Sequence, residues 1–168
     1  MKNNFSRYKI KIVDSTYRCV SVNCHPITHF IAPDTKPGIQ KLYVVKGVKD
    51  IFYVGITSQA MSSRFRIGFI DDGHYGYHGY KWKDKIKQAE VLVWTFPEKD
   101  TKYSEAIEGE LVYFIREKTG KWPKHQMEIH FHSDVTMNQK RAAENILKNI
   151  MKKQKPDINK VMAVEGKK

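Results

Sequence analysis

Two runs of β-branched and aromatic residues constrain this chain more than any other feature. They are Lys41-Leu42-Tyr43-Val44-Val45 and Phe52-Tyr53-Val54-Gly55-Ile56-Thr57, separated by Lys46-Gly47-Val48-Lys49-Asp50. Strand, turn and strand is the most economical reading, with Gly47 free to take a positive φ in the turn. Tyr43 and Tyr53 then lie on adjacent strands. Both hydroxyls reach one site if the register gives them the same face.

A chain of 168 residues, 40% hydrophobic, can bury one sizeable core. One compact domain is expected, with an N-terminal arm over 1–38, a core over 39–132 and a basic C-terminal helix and tail over 133–168. Thirty Lys and Arg against eighteen Asp and Glu give a formal charge of +12, which favours a polyanionic partner, nucleic acid before an anionic membrane. The first residues lack the apolar stretch of a signal peptide, and no run approaches the ~18 apolar residues of a membrane span. A soluble, cytoplasmic protein without a membrane partner is therefore expected. Cys19 and Cys24 are too few for a disulfide framework and fit a reducing compartment. With His25 and His29 they offer an alternative reading as a zinc cluster, although the four crowd within eleven residues.

In chain order, Tyr8 to Val13 alternates apolar residues with lysine, as a half-buried strand does, and Tyr17 to Val22 reads as a second short strand. Three prolines between His25 and Gly38 argue for irregular structure leading into the hairpin. Beyond it, Thr57-Ser58-Gln59 offers caps for a short helix over Ala60 to Arg66. Arg64 flanks that helix's buried edge and Arg66 projects further round. Lys81 to Lys87 reads as another short helix, and Glu90 to Phe96 as a third strand beside the hairpin.

Lys102 to Lys118 is the longest helix candidate of the core, with Ile107, Leu111, Phe114 and Ile115 forming its apolar stripe and Gly120 and Pro123 ending it. At ~100° per residue, Glu108 falls within this stripe beside Leu111, Val112 and Ile115. A carboxylate there costs free energy unless it is paired or binds a cation. Glu105, Glu110 and Glu117 carry no such signal. From Ser133 a basic amphipathic helix follows, with Asp134 and Thr136 as caps and Ala142, Ile146 and Ile150 as its apolar side.

Two further segments are rich in functional side chains. His74 to Lys83 interleaves aromatics, histidines and lysines. As a DNA-contacting loop it would use Lys81 and Lys83 for phosphates and Tyr80 for stacking, with His78 activating a water or binding the phosphate. Otherwise Tyr80 and Trp82 are core anchors of a long loop. His130 and His132, if in a short strand, share one face and with Glu128 suggest a rival histidine–metal hydrolase that lacks a further ligand.

Taken together, Leu42-Tyr43-Val44, Tyr53-Val54-Gly55, Arg64 eleven residues later and Glu108 opening Glu-x-x-Leu-Val resemble the GIY-YIG nuclease superfamily over roughly residues 40 to 115. The first tripeptide keeps its tyrosine and loses its glycine, and the second differs by one methylene. The stretch from Trp122 to His132 is similar to the restriction-enzyme-like branch. Many members carry an asparagine after the glutamate helix. It has no clear counterpart here, where Gln126, His125, His130 and His132 are the nearby polar groups.

The resemblance implies an α/β (α+β) fold: a small, mainly antiparallel central sheet bearing the tyrosine hairpin, flanked by helices, plus the N-terminal arm and C-terminal helix. It implies a divalent-metal-dependent DNA endonuclease, of type II restriction type or of the repair and mobile-element type acting on branched or nicked DNA. A non-catalytic nucleic-acid-binding module that has kept the fold is the remaining alternative. Glu108 would ligate Mg²⁺, or Mn²⁺ in its place. Tyr43 would be the general base, Tyr53 would orient the water, and Arg64 would bind the scissile phosphate, with Arg66, Lys81, Lys83 and Tyr80 on the double-stranded DNA. Because a phenol of pKa near ~10 is a weak base at neutral pH, this role for Tyr43 needs cations such as Lys41, Lys46, Arg64 or Arg66 around it. For a palindromic target, a homodimer with two-fold symmetry would present one site to each strand.

Overall fold

A computed structural model describes residues 5–74 and 79–152. It is an α+β structure in which a six-stranded antiparallel sheet is flanked by three helices. The strands are β1 (Phe5–Val13), β2 (Thr16–Val22), β3 (His25–Pro26), β4 (Gln40–Lys46), β5 (Ile51–Thr57) and β6 (Gln88–Phe96). The helices are α1 (Met61–Ile70), α2 (Thr101–Thr119) and α3 (Met137–Met151). The strand order is β3-β2-β1-β6-β4-β5, which makes β5 an edge strand and puts β6 between the two hairpins.

Residue alternation along the strands builds a core on each face. On one face Tyr8, Ile10, Tyr43, Val45, Val91 and Val93 pack with Met61, Phe65 and Phe69 of α1 and with Tyr80 and Trp82. On the other, Leu42, Val44, Val54, Leu92 and Trp94 pack with Ile107, Leu111 and Ile115 of α2 and Ile146 and Ile150 of α3. The two strands expected within residues 7–22 form. Rather than standing outside as an arm, they extend the sheet, because Tyr8 and Ile10 are buried and β1 pairs with β6, Phe5 opposite Trp94.

The helix ends follow the local chemistry, with one exception. Asp100 caps α2 by accepting from Tyr103 N, and Gly120 ends it at φ 74°. Thr136 and Gln139 form a reciprocal capping box on α3. No side chain caps α1; Met61 N instead donates to the backbone carbonyl of Asp34 at 3.0 Å, so the irregular stretch before the hairpin closes that helix.

Two local expectations are corrected. Gly47 does not adopt a positive φ; a side chain there would meet the Phe52 ring at 3.1 Å. The stretch over residues 81–87 forms turns rather than a helix, because Trp82 is fully buried and Lys83 is drawn to the end of α1, where its amine binds the carbonyls of Phe69 and Asp71 at 2.9 Å each. Among the described residues no helix is long and apolar enough to cross a membrane.

Candidate active site

The site forms where the two cores meet at the β5 edge. Tyr43 on β4 pairs with Gly55 on β5, and Val45 pairs with Tyr53, so the tyrosines share a face with ring centroids 5.9 Å apart. Gly55 makes this possible. A Cβ at that position would sit 2.5 Å from the Tyr53 ring and 2.9 Å from the Tyr43 ring and hydroxyl. The Tyr-Val-Gly tripeptide therefore has a steric reason, since the glycine leaves room for both rings. Gly55→Ala is expected to displace both tyrosines and destabilise the fold by about 1–3 kcal/mol, measured by denaturant titration.

The helix α1 presents Phe65 to the core and Arg64 beside it. Arg64 Nε donates to Tyr43 Oη at 3.2 Å, and its guanidinium lies 5.7 Å from the Tyr80 ring centroid. From α2 comes Glu108, only 9% exposed. Burial, reinforced by the nearby Glu105 carboxylate and partly offset by Arg64, pushes its carboxyl up to about 8. Arg64 thus exerts its charge on Tyr43 and Glu108 alike. A cavity of about 440 Å³ joins Tyr53, Arg64, Lys81, Glu105 and Glu108 with part of the segment over 125–130.

Tyr43 lies beneath this cavity rather than on its wall. It is fully buried, its hydroxyl shares a 3.0 Å hydrogen bond with Tyr80, and burial raises its phenol well above the ordinary value despite Arg64. The cationic field expected around it is largely missing. Lys41 spends its amine on the carbonyls of Lys36, Ile39 and Gln59, Lys46 binds the carbonyl of Ile150, and the Arg66 charge acts on Tyr17. Only Arg64 reaches the hydroxyl among these four.

Other expectations divide in the same way. Lys81 is exposed at the cavity, whereas Arg66 is exposed elsewhere on α1. The Lys83 amine is held by the end of α1 instead of being directed toward a phosphate. Tyr80 is a core anchor, buried and stacked on Trp82 at 4.7 Å, so it has no free face for a base. His78 lies outside the described residues.

The stretch after α2 runs along the β5 edge. Lys124 N and His125 N donate to the carbonyls of Ile51 and Phe52, and Gln126 Oε1 accepts from Val54 N at 3.0 Å. The other end of the Gln126 amide donates to the Glu128 carbonyl, so this side chain is committed to docking the segment. His130 and His132 do not lie in a strand. His130 lines the cavity, with Nε2 4.0 Å from Glu128, while His132 Nε2 lies 3.6 Å from Glu105. Gly109 allows that approach: a Cβ on it would meet the His130 carbonyl oxygen at 2.7 Å.

Among the described residues no group of three or more His, Cys, Asp or Glu is arranged to hold a metal ion, neither around Cys19, Cys24, His25 and His29 nor around His130 and His132. Cys19 is a buried thiol pushed up to about 11 by desolvation, and Cys24 is exposed.

Glu105, set aside in the sequence with Glu110 and Glu117, belongs to the site: it lines the cavity and acts on Glu108. Its signal was present, because residues three apart on a helix share a face and Glu105 precedes Glu108 by three. No family model, curated protein or solved structure matches the chain.

Proposed function

We propose that this chain is a divalent-metal-dependent DNA endonuclease of the GIY-YIG type, built as a restriction-type enzyme. The observation that carries the reading is the convergence of Tyr53, Arg64 and Glu108, from three separate elements, on one cavity. The sequence pattern supports the same residues in the same order, and the +12 charge suits the polyanionic substrate.

Glu108 fits a divalent cation. Its charged form is disfavoured by burial and by Glu105, and a bound cation reverses that penalty. A hard oxygen donor with few protein partners suits Mg²⁺, which keeps several waters, and Mn²⁺ can substitute. When bound, the ion would supply Lewis-acid stabilisation of the negative charge building on the phosphate.

Arg64, steadied by Tyr43 and lying against Tyr80, binds a non-bridging oxygen of the scissile phosphate and is already oriented for it. The water-activating role moves from Tyr43 to Tyr53. Tyr53 lines the cavity, whereas the Tyr43 hydroxyl is bonded beneath it and burial disfavours its phenolate. Tyr43 is thus a positioning residue for Arg64. Lys81 contacts the substrate phosphate at the rim.

The test is incubation of supercoiled plasmid, and of a panel of branched and nicked duplexes, with the protein in Mg²⁺ and in EDTA. Discrete plasmid fragments that need Mg²⁺ and vanish in Arg64→Ala are the expected result. Cleavage confined to branched or nicked DNA would make it a repair or mobile-element nuclease instead. Salt-sensitive binding without cleavage in Mg²⁺ or Mn²⁺ would leave a binding module and overturn the nuclease reading.

A further inference from the structure

The α2–α3 layer does not cover the whole of its sheet face. Beyond it, Lys9 and Lys11 of β1 are exposed, whereas Tyr8 and Ile10 between and beside them are buried on the opposite face. This open floor belongs to a groove of about 970 Å³, walled by the β4–β5 turn, the end of α3 and the chain leaving α2. Eight lysine and arginine side chains line it against two carboxylates. Both carboxylates are already neutralised, Glu90 by Arg7 at 2.7 Å and Asp50 by Lys124 at 2.8 Å. Lys9, Lys11, Lys49 and Lys121 form no ion pair among the described residues.

The groove shares no lining residue with the catalytic cavity, yet the two adjoin. Lys124 lines the groove and the next residue, His125, lines the cavity, both pinned by backbone hydrogen bonds to the β5 edge. A concave surface with a surplus of six positive charges, continuous along one chain segment with the cavity, suits an extended polyanion better than a small anion.

We infer that the groove is a second DNA-contacting surface, which binds the phosphodiester backbone of the duplex flanking the scissile site. The inference rests on the nuclease reading for the identity of the polymer. It makes the protein's grip on DNA separable from cleavage.

The test measures binding of a fluorescently labelled mixed-sequence duplex to the full chain in EDTA across a salt series. A variant with Lys9, Lys11, Lys49 and Lys121 all changed to Gln is compared with one carrying Lys36, Lys102, Lys140 and Lys148 changed to Gln. Thermal melts check that both fold. The groove variant is expected to bind at least about tenfold more weakly at about 100 mM salt. Its slope of log affinity against log salt should be shallower by roughly 3 to 4, at ~0.9 per lost phosphate contact, and the second variant should fall much less.

Equal losses in the two variants would reduce the effect to net charge and overturn the inference. So would a groove variant that binds like wild type, or a groove that holds phosphatidylserine vesicles and not the duplex. Mg²⁺-dependent cleavage alongside unchanged groove-variant binding would sink the groove and leave the nuclease. A groove-dependent slope with no cleavage in Mg²⁺ would do the reverse.

Discussion

Changing Glu108 to Gln is expected to reduce Mg²⁺-dependent DNA cleavage by well over roughly 100-fold, more than the loss of a group that merely supports a metal ligand. The same substitution should make the metal-free protein more stable at alkaline pH. In the folded chain the carboxyl is raised from the ordinary 4.5 to about 8, so folding favours its protonated form. Stability from this group is complete below about pH 4.5, declines as pH rises toward about 8, and is flat beyond that. The decline has a ceiling of roughly 5 kcal/mol, set by the size of the shift. Urea titrations in EDTA at pH 5, 7 and 9 should show it in the wild type and not in Glu108→Gln. Since Mg²⁺ and the proton compete for one carboxylate, apparent Mg²⁺ affinity should rise about tenfold per pH unit below about pH 8 and then level off. Calorimetry that found no change between pH 6 and 8 would remove Glu108 from the metal site.

The two tyrosines should separate in kind. Tyr53→Phe is expected to lower the cleavage rate by about 10²–10⁴ with little change in stability, the scale of losing a general acid or base from the reacting centre. Tyr43→Phe removes a buried hydroxyl bonded to Tyr80 and Arg64, so it should destabilise the fold by about 1–3 kcal/mol. Its cleavage should fall about tenfold, chiefly through KM, as Arg64 loses a fixed orientation. The pH–rate profile decides between these roles. With Mg²⁺ saturating at every pH, so that the titration of Glu108 does not enter, Tyr43→Phe should keep the wild-type profile, and Tyr53→Phe should lose the rise toward alkaline pH. A folded Tyr43→Phe protein with no activity and a lost alkaline rise would return the proton transfer to Tyr43.

Much of the scaffold was legible because its signals are local. The β4–β5 hairpin, β6 and α2 each carry a periodicity or cap that the structure repeats, as does the Thr136 cap of α3. The pairing of β1 with β6 was not legible, since nothing within Phe5–Val13 specifies a partner some eighty residues away. Lys81 to Lys87 misled for a similar reason. Its residues answer to contacts outside the segment, Trp82 to the aromatic core and Lys83 to the carbonyls of α1. At the site, Glu108 could be found because an acid within an apolar stripe is anomalous by itself. The difference between Tyr43 and Tyr53 depends on depth, which strand sequence does not encode; both sit in similar apolar tripeptides, and only the packed structure buries Tyr43 and leaves Tyr53 lining the cavity.

The position of β6 has a consequence for how the molecule assembles. The β1–β2 and β4–β5 hairpins are contiguous in the chain and can each form quickly, but they pair with the same strand from opposite sides and not with each other. Neither becomes part of a common sheet until residues 88–96 insert between them, a non-local closure of the kind that slows folding. The basic floor on β1 and the tyrosine pair on the other hairpin are therefore joined by a single late event. A chain caught before that insertion would hold two separate ribbons, each with open edges exposed to other chains.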